Sequence, residues 1–145
     1  MATYLLVAYQ TAQSPQLLAA AQELGRDDPS PGFVLLVPAT PASELMVGEE
    51  GDSTEIARRR AESARAWLQD AGVRMVDARV GDPDPVQAIA DELSGDRHYA
   101  AVVVSTLPQG MSQWIRRDVV SQVRRRYPSL RVDHVVSELP AAASR

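Results

Sequence analysis

The chain has 145 residues, of which 45% are hydrophobic, with a net charge of −4 and no cysteine. These values are typical of a single globular domain, and the missing cysteine excludes disulfides, thiolate nucleophiles and cysteine zinc sites. The negative charge argues against nucleic-acid binding, and the absence of lysine excludes a Walker-type lysine or a lysine Schiff base. No apolar run is long enough to span a bilayer, so we expect no membrane partner and a cytoplasmic location.

The first three predicted elements are a strand, a helix and a strand. Thr3–Tyr9 is an apolar run without alternation, which is typical of a strand covered on both faces. Ser14 suits a helix N-cap, Pro15 suits the first helical position, and Gly25 marks the end of the helix. Gly32–Val37 is again apolar throughout and predicts a second buried strand.

The longest predicted connection, Pro38–Glu50, follows the second strand, and we expect it to be a loop over a ligand crevice. Asp52 and Glu55 form a capping-box pattern that starts the second helix, and Gly72 marks its end. Val73–Val80 alternates loosely between apolar and polar residues, which places the third strand nearer an edge of the sheet.

The last elements are two helices and two strands. Asp84 and the following proline open the third helix, and Tyr99–Ser105 predicts another buried strand. The fourth helix ends in Arg124–Arg126, which we expect to be solvated. Leu130–Ser137 alternates clearly and predicts an edge strand. The apolar stripe of the fourth helix comprises Met111, Ile115, Val119 and Val123.

Strict alternation of strands and helices predicts an α/β fold, a doubly wound five-stranded parallel sheet with helices on both faces. A sheet of this kind has right-handed crossovers and a single hydrophobic core. The interpretation is one domain over residues 1–138, followed by a flexible tail at 139–145 that is rich in alanine and serine.

Three motifs carry a family resemblance. Gly81–Pro83 reads Gly-Asp-Pro before the third helix, Val102–Ser105 is a hydrophobic strand running into a loop, and Val120–Gln122 reads Val-Ser-Gln. With the order of elements, these motifs make the chain resemble the universal stress protein family, among the adenine-nucleotide α-hydrolase-like folds, over nearly its whole length. The resemblance implies the strand order 3-2-1-4-5, with ligand at the carboxyl ends of strands 1 and 4.

The chain departs from the G-x2-G-x9-G-[ST] loop that ATP-binding members carry after strand 4. Without a gap, the four positions of that loop fall on Ser105, Pro108, Asp118 and Val119. Pro108 lacks an N–H, and Asp118 at about 4 Å would repel a triphosphate by up to ~4 kcal/mol at an effective dielectric of 20. Gln10 lies near the place of a nucleotide-contacting acid in the family. We therefore do not expect ATP binding in the family manner.

The same region retains groups that suit an anion. These are two hydroxyls at the strand end, a glycine, and backbone amides at a helix N-terminus. These groups are compatible with binding of a small anion, or of an adenine nucleotide held in another way. They do not require a cofactor. The alternative is that the hydroxyls only cap and close the turn. The candidate ligand-contacting residues are Ala8, Gln10, Val37, Ser105, Thr106, Gly110, Met111, Ser112, Asp118 and Val119.

Neither a catalytic nor a metal site is predicted. Gly110–Trp114 lacks the second glycine of a G-x-S-x-G nucleophile elbow. His98 precedes strand 4, at the wrong end of the sheet, and His134 lies within strand 5 and is interpreted as a sheet or interface residue. Asp82 and Asp84 are better explained as helix caps than as metal ligands.

Three functional hypotheses follow. The favoured one is a non-enzymatic, stress-protein-like module that senses a ligand. The second is a ligand-free scaffold that acts through a dimer surface. The third, an enzyme acting on nucleotide phosphates, is weakest because no base, nucleophile or metal site can be named. In each case we expect a homodimer in which strand 5, Leu130–Ser137, pairs antiparallel with its symmetry mate, as in many family members.

Overall fold

Strands and helices alternate strictly along the described part of the chain. The computed structural model describes residues 2–9, 11–39, 53–106 and 117–137. The elements are, in order, β1 (Thr3–Val7), α1 (Pro15–Gly25), β2 (Gly32–Pro38), α2 (Ser53–Asp70), β3 (Met75–Gly81), α3 (Pro85–Leu93), β4 (Ala101–Thr106), α4 (Arg117–Arg126) and β5 (Arg131–Val136).

The five strands form one sheet in the order β3-β2-β1-β4-β5, and every neighbouring pair is parallel. This confirms the predicted fold class and strand order. Because crossovers between parallel strands are right-handed, α1 and α2 cover one face, while α3 and α4, which contact each other, cover the opposite face. No helix in the described ranges is long and apolar enough to cross a membrane.

The central strands are buried because helices cover both of their faces. All seven residues of β2 and all six of β4 are buried. The unbroken apolar runs in the sequence therefore indicate double coverage, as predicted. Burial of each large aliphatic side chain contributes about 1.5–3 kcal/mol. The largest fully buried side chains include Leu5, Leu6, Leu35, Leu36, Leu68 and Ile89.

Two helices begin at the caps that the sequence indicates. The Ser14 side chain accepts a hydrogen bond from the Leu17 N–H at 3.0 Å, and Asp84 accepts one from Val86 at the same distance. Pro15 and its counterpart in α3 occupy the first helical turn, where a missing N–H costs nothing. Each cap contributes about 1 kcal/mol, so local sequence fixes these helix starts.

Some boundaries differ from the sequence predictions. β1 ends at Val7, two residues before the predicted end, because the chain bends at Tyr9 towards α1. β5 begins one residue later than predicted and ends at Val136. Several predicted features lie outside the described residues: most of the loop Pro38–Glu50, the Asp52 cap, Met111 and Ile115 of the fourth helix, and the tail 139–145.

Replacement of Gly81 should destabilise the fold through crowding. An added Cβ would lie 2.7 Å from the Ala88 Cβ and 3.0 Å from the Leu36 Cδ1. We expect Gly81→Ala to lower the free energy of unfolding by about 1–3 kcal/mol, since inserting a methyl group into a packed site forces a backbone shift. Gly95→Ala is the matched control, because its nearest neighbour is 3.5 Å away. Urea unfolding of both variants measures the difference, and equal stabilities would contradict close packing of β3 on α3.

Candidate functional site

Four of the predicted ligand-contacting residues meet at the carboxyl edge of the sheet. Ala8 follows β1, Val37 lies near the end of β2, and Ser105 and Thr106 end β4. Val7 of β1 is in register with one residue of β2 and one residue of β4. The residues that follow these three positions therefore lie next to one another at the carboxyl ends of the strands. All four are buried. The strand order reverses here, and parallel α/β sheets open their ligand crevices at such a point.

A chain of buried hydroxyl groups links three elements at this edge. The Ser105 Oγ lies 2.6 Å from the Thr11 Oγ1 and 2.7 Å from the Ser137 Oγ. All three residues are at most 2% exposed. Buried hydroxyls that lack partners are costly, and here they satisfy one another. The network therefore ties the start of α1 and the end of β5 to β4.

A second polar contact joins β4 to the edge strand. The Thr106 Oγ1 lies 2.7 Å from the His134 Nε2, and the Thr106 carbonyl accepts a hydrogen bond from the Ser137 N–H at 2.7 Å. A hydroxyl beside an imidazole is the geometry of an activated nucleophile. Thr106 is only 1% exposed, however, so its hydroxyl is shielded from substrate. The contact is structural, in agreement with the interpretation of His134 as a sheet residue.

A cation also reaches the carboxyl edge. The Arg60 guanidinium carbon lies 4.6 Å from the centroid of the Tyr9 ring, and Tyr9, which follows Ala8, is buried. The Arg60 Nε is buried and has no hydrogen-bond partner in the described structure. Such stacking fixes the guanidinium, and a desolvated N–H without an acceptor favours the approach of an anion. Sequence analysis missed Arg60, although it lies four residues after Ile56, on the inner face of α2.

The two candidates on α4 differ in exposure. Asp118 is exposed in the first turn, and its carboxylate lies 3.5 Å from the Gln122 side-chain amide. Val119 is 6% exposed and packs in the core with Val120 and Val123. The repulsion of a triphosphate by Asp118 stays a prediction. The remaining candidates, Gln10, Gly110, Met111 and Ser112, lie outside the described residues.

A separate charged cluster lies between β3 and α3. Glu92, 9% exposed, pairs with the Arg79 Nε at 2.7 Å and accepts a hydrogen bond from the Tyr99 hydroxyl. Burial, together with the bond to Glu92, raises the pKa of Tyr99 above its usual range. Asp77 lies 3.6 Å from both Arg79 and Arg97. The charges are paired, so the cluster holds α3 against the sheet. No metal-binding group of three or more histidines and acids occurs in the described ranges.

The described elements define an α/β protein with a doubly wound parallel sheet in the strand order β3-β2-β1-β4-β5. The fold is similar to the crystal structure of a protein from the universal stress protein family from Burkholderia pseudomallei. The two chains are 17% identical, the match covers 94% of this chain and 96% of the other, and the TM-score is 0.50. This confirms the predicted resemblance at the level of the fold. No family model and no curated protein sequence matches the chain.

The hydroxyl chain should contribute measurably to stability. Ser105→Ala removes both bonds at the centre of the chain and leaves the Thr11 and Ser137 hydroxyls buried with one partner fewer. We expect a loss of about 1–3 kcal/mol in the free energy of unfolding. Ser63→Ala, at an exposed position within α2, is the control and should change stability by less than about 0.5 kcal/mol. Equal urea midpoints for the two variants would show that the network does not stabilise the fold.

Proposed function

We propose that this protein is a non-enzymatic ligand-sensing module with a universal stress protein fold, acting in the cytoplasm. Its crevice takes a small anion or an adenine nucleotide without the glycine loop of the ATP-binding family members. The observation that carries this proposal is Arg60, held over Tyr9 with its Nε buried and unpaired. An anionic oxygen would supply the missing acceptor, and a hydrogen bond between charged partners contributes roughly 1.5–3 kcal/mol.

The polar groups of β4 support a mode of binding that differs from that of the family. Ser105 already bonds to two hydroxyls, and Thr106 bonds to His134. A phosphate that took either hydroxyl would have to break a buried hydrogen bond within the protein. When the glycine loop of the family is aligned with this chain without a gap, its positions are occupied by other residues, among them Pro108 and Asp118. We therefore expect the positive charge on α2 to contribute more to the affinity for an anion than the residues that follow β4.

A ligand-free dimeric scaffold is the second candidate, and the closed hydroxyl chain favours it. Thr11, Ser105 and Ser137 satisfy one another without a ligand, so the edge of the sheet needs none for its stability. In this alternative the groups at the carboxyl edge only stabilise the fold, and the protein acts through the surface of the dimer. An adenine nucleotide held by a modified loop is the third alternative, and the same titrations test it.

We also propose a homodimer through β5. An edge strand presents unpaired N–H and C=O groups, and antiparallel pairing with a second copy satisfies them. Val136 at this edge is 42% exposed, and only it and Val76 are exposed large hydrophobic side chains in the described ranges. Burial of Val136 against a second copy would remove this apolar surface from water.

Arg60 should control anion affinity. Freshly purified protein is examined by native mass spectrometry for a retained small mass, and then titrated with inorganic phosphate, AMP and ATP by calorimetry. Arg60→Ala should weaken binding of the probe that binds best by about tenfold to a hundredfold, the equivalent of one charge-assisted hydrogen bond. Arg58→Ala is the control, because Arg58 is exposed and ion-paired with Glu55.

The outcomes separate the candidate functions. If the wild-type protein retains no small mass and binds none of the three probes, the sensor hypothesis is wrong and the scaffold remains. Equal losses for Arg60→Ala and Arg58→Ala would show that Arg60 acts only through net charge. Turnover of ATP that survives dialysis against a chelator would support the enzyme hypothesis instead.

The dimer has its own test. Val136→Arg should raise the dimer dissociation constant by at least about tenfold, because it places a charge in an apolar contact. Val76→Arg is the matched control on the opposite edge of the sheet, since its exposed fraction is 38% against 42% for Val136. Sedimentation equilibrium measures both constants. A wild-type protein that stays monomeric, or equal effects of the two substitutions, would contradict pairing through β5.

A further inference from the structure

A cavity lies at the amino-terminal edge of the sheet, opposite the edge that carries the candidate site. α1 and α2 both end here, at Gly25 and Asp70, and β2 begins here at Gly32. The space between the two helix ends measures about 360 Å³, which is within the range of small-molecule sites in proteins. The family resemblance places its ligand at the other edge, so this cavity has no assigned role.

The floor of the cavity is apolar and closely packed. Ala21, Phe33 and Val73 line it, and each is at most 5% exposed. The Phe33 ring also packs against the Tyr4 ring, with a centroid distance of 5.3 Å, so its position is fixed. An apolar body that enters the cavity exchanges water for contact with these carbon atoms, which is favourable. The floor therefore selects a ligand with an apolar part over a fully polar one.

One wall of the cavity is preformed. It is the turn Pro29–Pro31 between α1 and β2. The Asp28 carboxylate accepts a hydrogen bond from the Ser30 N–H at 2.9 Å, within the turn. It also accepts bonds from the Ala2 N–H at 2.8 Å and the Tyr4 hydroxyl at 3.3 Å, which tie the turn to the start of β1. A wall that is already held in place needs little ordering when a ligand binds, and this favours affinity.

The charged residues that line the cavity are both arginines. Arg26, at the end of α1, is already in an ion pair with Glu23 at 2.7 Å. Arg74 has no ion pair and no side-chain hydrogen bond within the described part of the chain. Its Nη1 lies 3.4 Å from the position that a Cβ on Gly32 would occupy, so the glycine gives the guanidinium room. In a chain of net charge −4, a cavity lined by two cations and, among the described residues, no carboxylate favours an anion.

The helix ends decide where the anion lies. The carboxyl ends of α1 and α2 carry partial negative charge, which disfavours an anion placed deep between them. Arg74 comes directly before β3 and is exposed, so the negative group is best placed at the mouth of the cavity, with the apolar part towards Phe33. One guanidinium without a partner suits one carboxylate, which it binds through two parallel hydrogen bonds.

We propose that this cavity binds a small organic monocarboxylate with an apolar ring system, its carboxylate on Arg74 and its rings towards Phe33. A carboxylate alone lacks the apolar contact, and a neutral ring lacks the ionic one, so the ligand needs both parts. The site is separate from the one proposed at Arg60, and neither proposal depends on the other.

Phe33 makes the site directly observable, because it is the only phenylalanine in the chain. Protein produced with para-fluorophenylalanine therefore carries one fluorine atom, on the Phe33 Cζ. That carbon lies 3.5 Å from the position of a Cβ on Gly25, and the glycine leaves space for the fluorine. The fluorine NMR signal is followed during titration with naphthoate, with the neutral naphthamide and with acetate. Calorimetry measures the same affinities.

The naphthoate titration is repeated with Arg74→Gln and with Arg125→Gln. Arg125 is the matched control, since it is also an exposed arginine but lies at the end of α4 and does not line the cavity. Each substitution removes one positive charge, so the two variants have the same net charge. Circular dichroism confirms folding. The comparison of naphthoate with naphthamide tests the ionic contact on the natural sequence, whatever the stability of the variants.

We expect naphthoate to shift the fluorine signal to saturation, with a dissociation constant on the order of 0.1–1 mM for a ligand of about thirteen non-hydrogen atoms. Naphthamide should bind at least about tenfold more weakly, and acetate should give no saturable shift. Arg74→Gln should weaken naphthoate binding by about tenfold, through loss of the charge-assisted hydrogen bonds, and Arg125→Gln should leave it unchanged.

Four outcomes would overturn the proposal or one of its parts. No saturable shift with naphthoate, or calorimetric binding without a fluorine shift, would show that the cavity is not the site. Equal affinities for naphthoate and naphthamide would overturn the ionic contact. Equal affinities of the two variants would overturn the assignment to Arg74. Acetate binding as tight as naphthoate binding would show that the apolar floor plays no part.

Discussion

β1 pairs in parallel with β2 on one side and with β4 on the other, and both the candidate site and the shape of the edges depend on that pairing. Parallel neighbours bring their carboxyl ends to one edge of the sheet. The crossovers leave β1 and β4 in opposite directions, so no helix passes over the point where these strands end. The polar residues at the ends of the two strands therefore meet there.

The neutral and the charged polar groups at this edge differ in whether their hydrogen bonds are satisfied within the protein. The hydroxyls of Thr11, Ser105 and Ser137 are fully buried, and each bonds to another member of the set. Arg60 is stacked on a ring, and its Nε has no hydrogen-bond partner in the described structure. Burial of an unpaired donor on a cation is unfavourable, and stacking on the ring returns only about 0.5–2 kcal/mol. An anion would accept a hydrogen bond from the Arg60 Nε without disturbing the hydroxyl groups. For this reason we propose that Arg60 of α2, and not the hydroxyls, provides the affinity for a ligand.

Local rules account for the parts of the fold that were predicted correctly from sequence. Ser14 and Asp84 cap helices through contacts with residues two or three positions away, and the buried strands follow from uninterrupted apolar runs. The strand order came from the family resemblance, since periodicity alone does not order strands. Ser105 and Thr106 were placed correctly at the carboxyl end of β4 because they follow an uninterrupted apolar run.

The partners of these residues could not be predicted in the same way. Ser105 bonds to side chains 94 and 32 residues away, and no local pattern indicates such contacts. Two arginines, Arg60 and Arg124, illustrate another limit. Amphipathic patterns assign arginine to solvent, yet its long side chain carries the guanidinium well away from its own Cα. Arg60 reaches an aromatic ring, and Arg124 reaches the backbone of another strand. Both contacts depend on where helices lie against the sheet.

The crevice and the β5 edge share hydrogen-bonded groups. Ser105 bonds to Ser137, the Ser137 N–H bonds to the Thr106 carbonyl, and the Thr106 hydroxyl bonds to His134. His134 is itself a residue of β5, opposite Val104 of β4. A ligand that competed for Ser105 would take a partner from Ser137, directly after the strand through which we propose that the protein dimerises. A connected set of hydrogen bonds can couple ligand binding to a change at β5 only if the set has two stable arrangements. Here the alternative arrangement would be a β5 end released from β4, which requires breaking a buried hydroxyl bond and a backbone bond together.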